Sequence, residues 1–358
     1  MAVSRHPSLA SPSPAAPVSV GAKELGSRVD GGSAEKRKLG RREAASPALA
    51  ALDLGTNNCR LLIARPAGPE RFRAVDSFSR IVRLGEGVAT TGIISDAAME
   101  RTIAALKICA DHIRKSGATH VRAIATQAAR LAGNADVLIA RARDEAGIAL
   151  NVISAEEEAD LAALGCAPLI GRKYKGALIF DIGGGSTEII HLMRGPWGLE
   201  KKFAASLPFG VVTLSESYGA RAQTRAGFET MKSAMREHFA PYAGVAYDAG
   251  HEHLLGTSGT VTTLAALAMK LPRYNRARVD GSWHEVQQIL KVVDRTAGLD
   301  VKAMALLGPV GPERADLMLA GSAIFAAICA LWPSRMLRVA DRGLREGMLR
   351  QLREELNL

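Results

Sequence analysis

The sequence specifies an α/β protein made of two similar halves facing one another across a cleft, and three observations carry that reading. From Ala48 onward, short apolar stretches broken by glycine turns alternate with Ala-rich stretches of helical period, such as 96–115 and 134–146. A strand–turn–strand unit occurs twice, as Leu52-Asp53-Leu54-Gly55-Thr56-Asn57-Asn58-Cys59-Arg60-Leu61-Leu62-Ile63 and as Phe180-Asp181-Ile182-Gly183-Gly184-Gly185-Ser186-Thr187-Glu188-Ile189-Ile190-His191. The chain has 358 residues, 47% of them hydrophobic, which is enough to give each half its own core.

Taken in order, residues 1–47 are Ser, Pro, Ala and Gly around a basic run, Lys36-Arg37-Lys38-Leu39-Gly40-Arg41-Arg42, with eight Lys/Arg against four Asp/Glu. Lacking large apolar side chains to offset the entropy of ordering, this segment is expected to be a disordered basic tail. Residues 48–154 are expected to form the first domain and 155–340 the second, with a terminal helix over 343–356 packing back on the first. Ser154 is placed to cap a helix beginning near Ala155, with Glu157 as the acid of a capping box. His253-Leu254-Leu255 reads as a strand leading into the turn Gly256-Thr257-Ser258-Gly259-Thr260, whose hydroxyls are suited to cap an apolar helix over 261–269. The apolar stretch 317–331 falls short of the roughly 18–20 residues of a membrane span and ends at Trp332-Pro333, so it is expected to be a buried helix. No apolar signal core opens the chain, and a soluble cytoplasmic protein is expected.

Composition excludes several function classes. Aromatic residues make up only 4% of the chain, too few for the stacking platforms that hold single-stranded nucleic acid, and specific nucleic-acid binding is not expected. The formal charge of +10 favours a polyanionic partner, phosphate chains among them. Cys59, Cys109, Cys166 and Cys329 form no CxxC pair, which suggests neither a zinc site nor a disulfide framework. His251 and His253 flank Glu252 on a strand, and this alternation is expected to turn both rings to solvent.

The chemistry points to phosphate. Each repeat places an acid at a strand end before a turn of Gly, Thr, Asn or Ser, where the backbone can approach a ligand and aim N–H groups at phosphate oxygens. Gly55, Thr56 and Asn57 in the first repeat, Gly183, Gly184, Gly185 and Ser186 in the second, and Gly256, Ser258, Gly259 and Thr260 at the third turn are the expected phosphate cradle. Carboxylates beside such a cradle would repel phosphate unless a divalent cation, Mg²⁺ with retained waters, sits between them and the substrate, so Asp53, Asp181 and Glu188 are the expected metal residues. The sequence contains no GxxxxGK[ST] and no dinucleotide fingerprint.

The run Asp53-Leu54-Gly55-Thr56-Asn57, the paired turns and the Gly-Thr-Ser-Gly-Thr loop resemble the actin-like ATPase superfamily. Arg83-Leu84-Gly85-Glu86-Gly87, Ala125-Thr126-Gln127-Ala128-Ala129-Arg130, Ile153-Ser154-Ala155-Glu156-Glu157-Glu158-Ala159, Asp181 to Glu188 and Leu344-Arg345-Glu346-Gly347 narrow the resemblance to the exopolyphosphatase/guanosine pentaphosphate phosphohydrolase (Ppx/GppA) phosphatases. That resemblance implies two ribonuclease-H-like domains, Glu158 as the catalytic base, and hydrolysis of terminal phosphate from polyphosphate or guanosine pentaphosphate. Arg130 and Arg345 are expected to reach the substrate, and Arg83 and Arg60 to serve there or as ion pairs between the domains. Longer family members continue into a helical region related to HD-type phosphohydrolases and associated with dimerisation; this chain resembles the short form, for which a homodimer is left open. Two other readings share the fold: a sensor that holds guanosine tetraphosphate without turnover, and an actin-like ATP-dependent kinase.

Overall fold

The protein, described as a computed structural model, is defined over residues 46–68, 71–244 and 247–358, so nearly all of the expected tail over 1–47 lies outside the described residues. Two sheets dominate. In the first, β1 (Ala48–Leu54), β2 (Asn58–Pro66), β3 (Phe72–Ile81), β4 (Ala118–Ala125) and β5 (Asn151–Val152) lie in the order β3-β2-β1-β4-β5. In the second, β6 (Gly176–Ile182), β7 (Thr187–Gly195), β8 (Gly198–Leu207), β9 (Glu252–Thr257), β10 (Trp283–Glu285) and β11 (Met336–Ala340) lie in the order β10-β11-β9-β6-β7-β8. The same plan is laid down twice: three antiparallel strands, β1–β3 or β6–β8, with parallel strands beside the first, β4 and β5 or β9 and β11. The repeat legible in the sequence is therefore a repeat of topology.

Strand alternation distributes each sheet's side chains between two layers. On β1, Ala48, Ala50, Leu52 and Leu54 pack outward with Ile103 and Leu106 of the helix Asp96–Ser116, whereas Leu49 and Ala51 face a shared middle layer. That layer also takes Ile179, Ile190 and Leu255 from the second sheet, Leu161 from the helix Ala155–Cys166, and Met348 and Leu352 from the helix Leu344–Glu355. The outer face of the second sheet, with Leu178 and Phe180, is covered by the helices Arg225–Phe239, Ser258–Ala268 and Met318–Leu331. The two middle helices cross at glycines. A Cβ on Gly347 would overlap the carbonyl oxygen of Leu161, and one on Gly165 that of Gly343.

The expected helices are present at Asp96–Ser116, Ala135–Ala146 and Met318–Leu331, the last ending just before Trp332-Pro333. Among the described residues no helix is long and apolar enough to cross a membrane. Three local expectations are corrected. The helix after the third turn begins at Ser258 instead of Val261 and has no side-chain cap, because Thr257 Oγ1 donates instead to the Arg342 carbonyl at 2.7 Å. His253 is fully buried: β9 is flanked by β6 and β11 and covered on both faces, so alternation does not turn its side chains to water. Burial lowers its pKa to about 4, and the neutral ring accepts the Gly171 amide at Nε2, 3.2 Å away. Its neighbour Glu252 is also buried, 2.6 Å from His191 Nε2. The capping box forms only in part. Ser154 Oγ accepts the Glu157 amide at 3.0 Å, but the Glu157 carboxylate accepts from Arg122 at 2.8 Å.

Because the crossing of the middle helices leaves no room for a side chain, Gly347→Ala is expected to destabilise the protein by about 1–3 kcal/mol through overpacking. Denaturant unfolding checks this: the midpoint should fall while the slope is retained, and an unchanged midpoint would show that the helices separate freely.

Candidate active site

The two repeated turns close in the same way. Gly55 donates its amide to the Asn58 carbonyl at 2.9 Å, and Gly183 donates to Ser186 at 2.9 Å. The register then sets the strand-end charges: Asp53 pairs across the hairpin with Arg60, and Asp181 with Glu188. Equivalent places in the two repeats thus hold opposite charges. The turns meet backbone to backbone. A Cβ on Gly184 would lie 3.0 Å from the Asn57 nitrogen, and one on Gly185 2.6 Å from Thr56 Oγ1. Glycine is required there because any side chain would push the turns apart.

Between them lies an open cavity of about 130 Å³. It is lined by Asp53, Gly55, Thr56 and Asn57 from the first turn, Asp181, Gly183, Gly184, Gly185, Ser186 and Glu188 from the second, Ser258, Gly259 and Thr260 from the third, and Glu158 from the helix Ala155–Cys166. Three of the residues expected to hold phosphate, Gly256, Arg345 and Arg130, stand elsewhere. Gly256 does not line the cavity. Arg345 lines an adjoining pocket with Arg60, Arg276 and Arg314, where burial lowers its pKa. Arg130 lies behind Glu158, with Nη1 2.8 Å from Glu158 Oε2. Arg83 forms an ion pair with Asp316 at 2.9 Å, joining the first half to the second.

Glu158 is buried, and its environment is unusual. Burial pushes its pKa up to about 7, against the opposing pull of the Arg130 guanidinium, and the charges of Asp53 and Asp181 push in the same direction as burial. Arg130 also donates to the Ile153 carbonyl at 3.0 Å and to Gln127 Oε1 at 2.7 Å, which braces its guanidinium against the buried Glu158 Oε2. Asp181 is raised to about 6 by burial, Asp53 is raised for the same reason, and Glu188 stands well above the usual carboxylate range. Ser206 Oγ donates to Glu188 Oε1 at 2.7 Å.

The donor set accommodates a hydrated divalent cation. Four acidic side chains surround one cavity and raise one another's pKa, and Thr56 Oγ1, Asn57 Oδ1 and Ser258 Oγ are buried there without partners. Among the described residues no three His, Cys, Asp or Glu side chains are grouped closely enough to hold an ion directly, so such a cation would be held mainly through water and substrate oxygens, as magnesium commonly is. Sequence reasoning missed Arg314, Ser206 and Asp316. None sits in a repeated or glycine-marked motif, and only folding brings them to the site. Ser258 carried a signal that the sequence could not display: its φ is 90°, a strained left-handed backbone beside the cavity.

The sequence pattern of the Ppx/GppA phosphatase family matches residues 62–355. The chain is 35% identical over 285 residues to Exopolyphosphatase 2 of Mycobacterium tuberculosis, covering 77% of this chain and 88% of that one. It resembles the crystal structure of the Aquifex aeolicus member of the Ppx/GppA family with a TM-score of 0.72 and 30% identity, covering 87% and 99% of the two chains. A crystal structure of an exopolyphosphatase-like protein superposes with a TM-score of 0.80 at 27% identity, with the same coverage.

The raised carboxylates make a pH prediction. The Asp181 carboxyl titrates near 3.8 when unfolded and near about 6 when folded, so the folded state binds more protons between those values and stability falls as pH rises through them. Asp181→Asn should therefore raise Tm, relative to wild type, more at pH 8 than at pH 4. Added magnesium should raise the wild-type Tm more than that of the variant. Thermal denaturation at the two pH values measures both, and a pH-independent difference would remove the raised pKa of the buried Asp181 carboxyl from the account.

Proposed function

The chain belongs to the Ppx/GppA phosphatase family, and from that premise we propose that it hydrolyses the terminal phosphate of inorganic polyphosphate or guanosine pentaphosphate, using Glu158 as general base and magnesium as cofactor. The observation that carries the assignment is the Glu158 carboxylate: it lines the cavity, is buried against the Arg130 guanidinium and has a pKa of about 7. A base of that strength suits proton transfer at neutral pH.

The three turns that line the cavity offer backbone N–H groups and hydroxyls to the phosphate oxygens, and Arg60 and Arg314 place positive charge at its edge. Magnesium, when bound, would neutralise charge between the carboxylates and the phosphoryl oxygens. The Glu158 carboxylate accepts a proton from a water molecule whose oxygen bonds to the terminal phosphorus. The bridging P–O bond breaks, and the shortened chain leaves as the anion. Arg130 keeps the base oriented and holds its pKa below the value that burial alone would give.

Glu158→Gln is expected to lower kcat by roughly 10²- to 10⁴-fold, or about 2.7–5.5 kcal/mol of barrier, with little change in KM. In the wild type, kcat/KM should rise with pH through about 7 as Glu158 loses its proton, and in Arg130→Gln that rise should move to higher pH. Glu157→Gln should leave kcat nearly intact, because Glu157 faces Arg122. Phosphate release from tripolyphosphate, long-chain polyphosphate and guanosine pentaphosphate, with and without magnesium, measures all three. Equal losses in the Glu157 and Glu158 variants would overturn the base assignment.

A further inference from the structure

The two phosphate turns are linked a second time, behind the cavity. Within the segment Val82–Gly87, Val82 and Arg83 donate their amides to the Asn57 carbonyl at 2.9 and 3.0 Å, and Gly85 donates to the Thr56 carbonyl at 2.9 Å. The segment is thus an extension of the first turn. Arg101 of the helix Asp96–Ser116 braces it, donating from Nε to the Val82 carbonyl at 2.9 Å and pairing with Glu86 at 2.8 Å. On the other side, the helix Val211–Tyr218 starts on the second turn: Val211 donates to the Gly183 carbonyl at 3.0 Å and Val212 to the Gly184 carbonyl at 2.8 Å.

Two contacts close the circuit. Arg83 Nη2 donates to Asp316 Oδ2 at 2.9 Å, and the Gly87 amide donates to Glu216 Oε1 at 3.0 Å. Glu216 lies on the helix Val211–Tyr218, and Asp316 is tied to the same helix and to the turn after it, its carbonyl accepting from Ser215 Oγ at 3.5 Å and from Gln223 Nε2 at 2.6 Å. Arg83 makes its contact from a strained backbone, with φ of 49°, a region that non-glycine residues adopt at a cost. Strain at a residue whose side chain is about a third exposed is not explained by core packing.

We propose that Arg83 and Asp316, with Glu216, are positioning residues that set the spacing of the two phosphate turns, and so the grip on the phosphoryl group, without touching the substrate. This rests on the phosphatase reading above. The ion pair itself contributes little to stability, since a pair this exposed is largely screened by water. Its effect belongs to catalysis, where a small displacement of a positioning group is costly.

The test separates positioning from support. Arg83→Gly removes the guanidinium and also relieves the backbone, because glycine adopts a φ of 49° without strain. A positioning role predicts that kcat/KM for phosphate release from tripolyphosphate falls by between about 10- and 100-fold while Tm holds or rises. Asp316→Asn should lose a similar factor, the double variant should be no worse than either single one, and Arg83→Lys should recover part of the loss. Parallel falls of Tm and activity, losses that multiply in the double variant, or an unchanged kcat/KM would each overturn the proposal. Absence of phosphate release by the wild type would count against the phosphatase reading alone. The dissociation constant of tripolyphosphate, measured by calorimetry in the same variants, then decides the positioning role: it should weaken in both single variants, and unchanged binding would overturn it.

Discussion

Contact between two glycine turns is the constraint on which the rest of the structure depends. Gly184 sits against the Asn57 nitrogen and Gly185 against Thr56 Oγ1 and Gln127, where a Cβ would not fit. The strands leading into those turns, β1 and β6, are thereby brought end to end, and so are the acids one residue before each strand end, Asp53 and Asp181. Burial in this cleft, reinforced by the neighbouring like charges, raises the pKa values of Asp181 and Glu158. The fold tolerates that repulsion because three clusters of buried apolar side chains hold the middle helices and the outer layers.

The same constraint explains why the arginines are divided as they are. Arg130 is committed to the base, Arg83 to the far side of the turns, and Arg60 and Arg314 remain at the cavity wall. A guanidinium beside the base and another beside the substrate have opposed duties. The first stabilises the carboxylate that must accept a proton, and the second draws in the phosphate chain. Placing them on different elements, a short helix after β4 and the hairpin strand β2, lets each be fixed without the other.

Much of this was legible before folding. The glycine turns could be read because their requirement is local: close approach of backbone demands glycine whatever surrounds it. The repeat could be read because two copies of one hairpin were retained. Ser154 could be read as a cap, yet its partner Glu157 was misassigned, because Arg122 comes from β4 and competes for the same carboxylate. His253 was misjudged for a related reason, as strand alternation says which residues share a face but not whether a helix will cover that face. Arg130 matched its motif, but whether its guanidinium would point to substrate or to Glu158 depends on where the helix Ala155–Cys166 docks, which no local pattern encodes. Arg314, Ser206 and Asp316 carry no pattern at all and acquire meaning only from their neighbours.

The helix Leu344–Glu355 covers the inner face of β1, on which Leu49 and Ala51 lie, and interlocks at glycine with the helix Ala155–Cys166. Nearly three hundred residues of chain are made between that strand and the helix that shields it. During synthesis, at roughly 5–20 residues per second, the first sheet therefore emerges from the ribosome with one side bare and waits tens of seconds for its cover. The outer side, by contrast, is sealed early by the helix Asp96–Ser116, which follows within the same stretch of chain. A nascent protein of this design needs either a chaperone to occupy the bare side or enough intrinsic solubility to survive the interval.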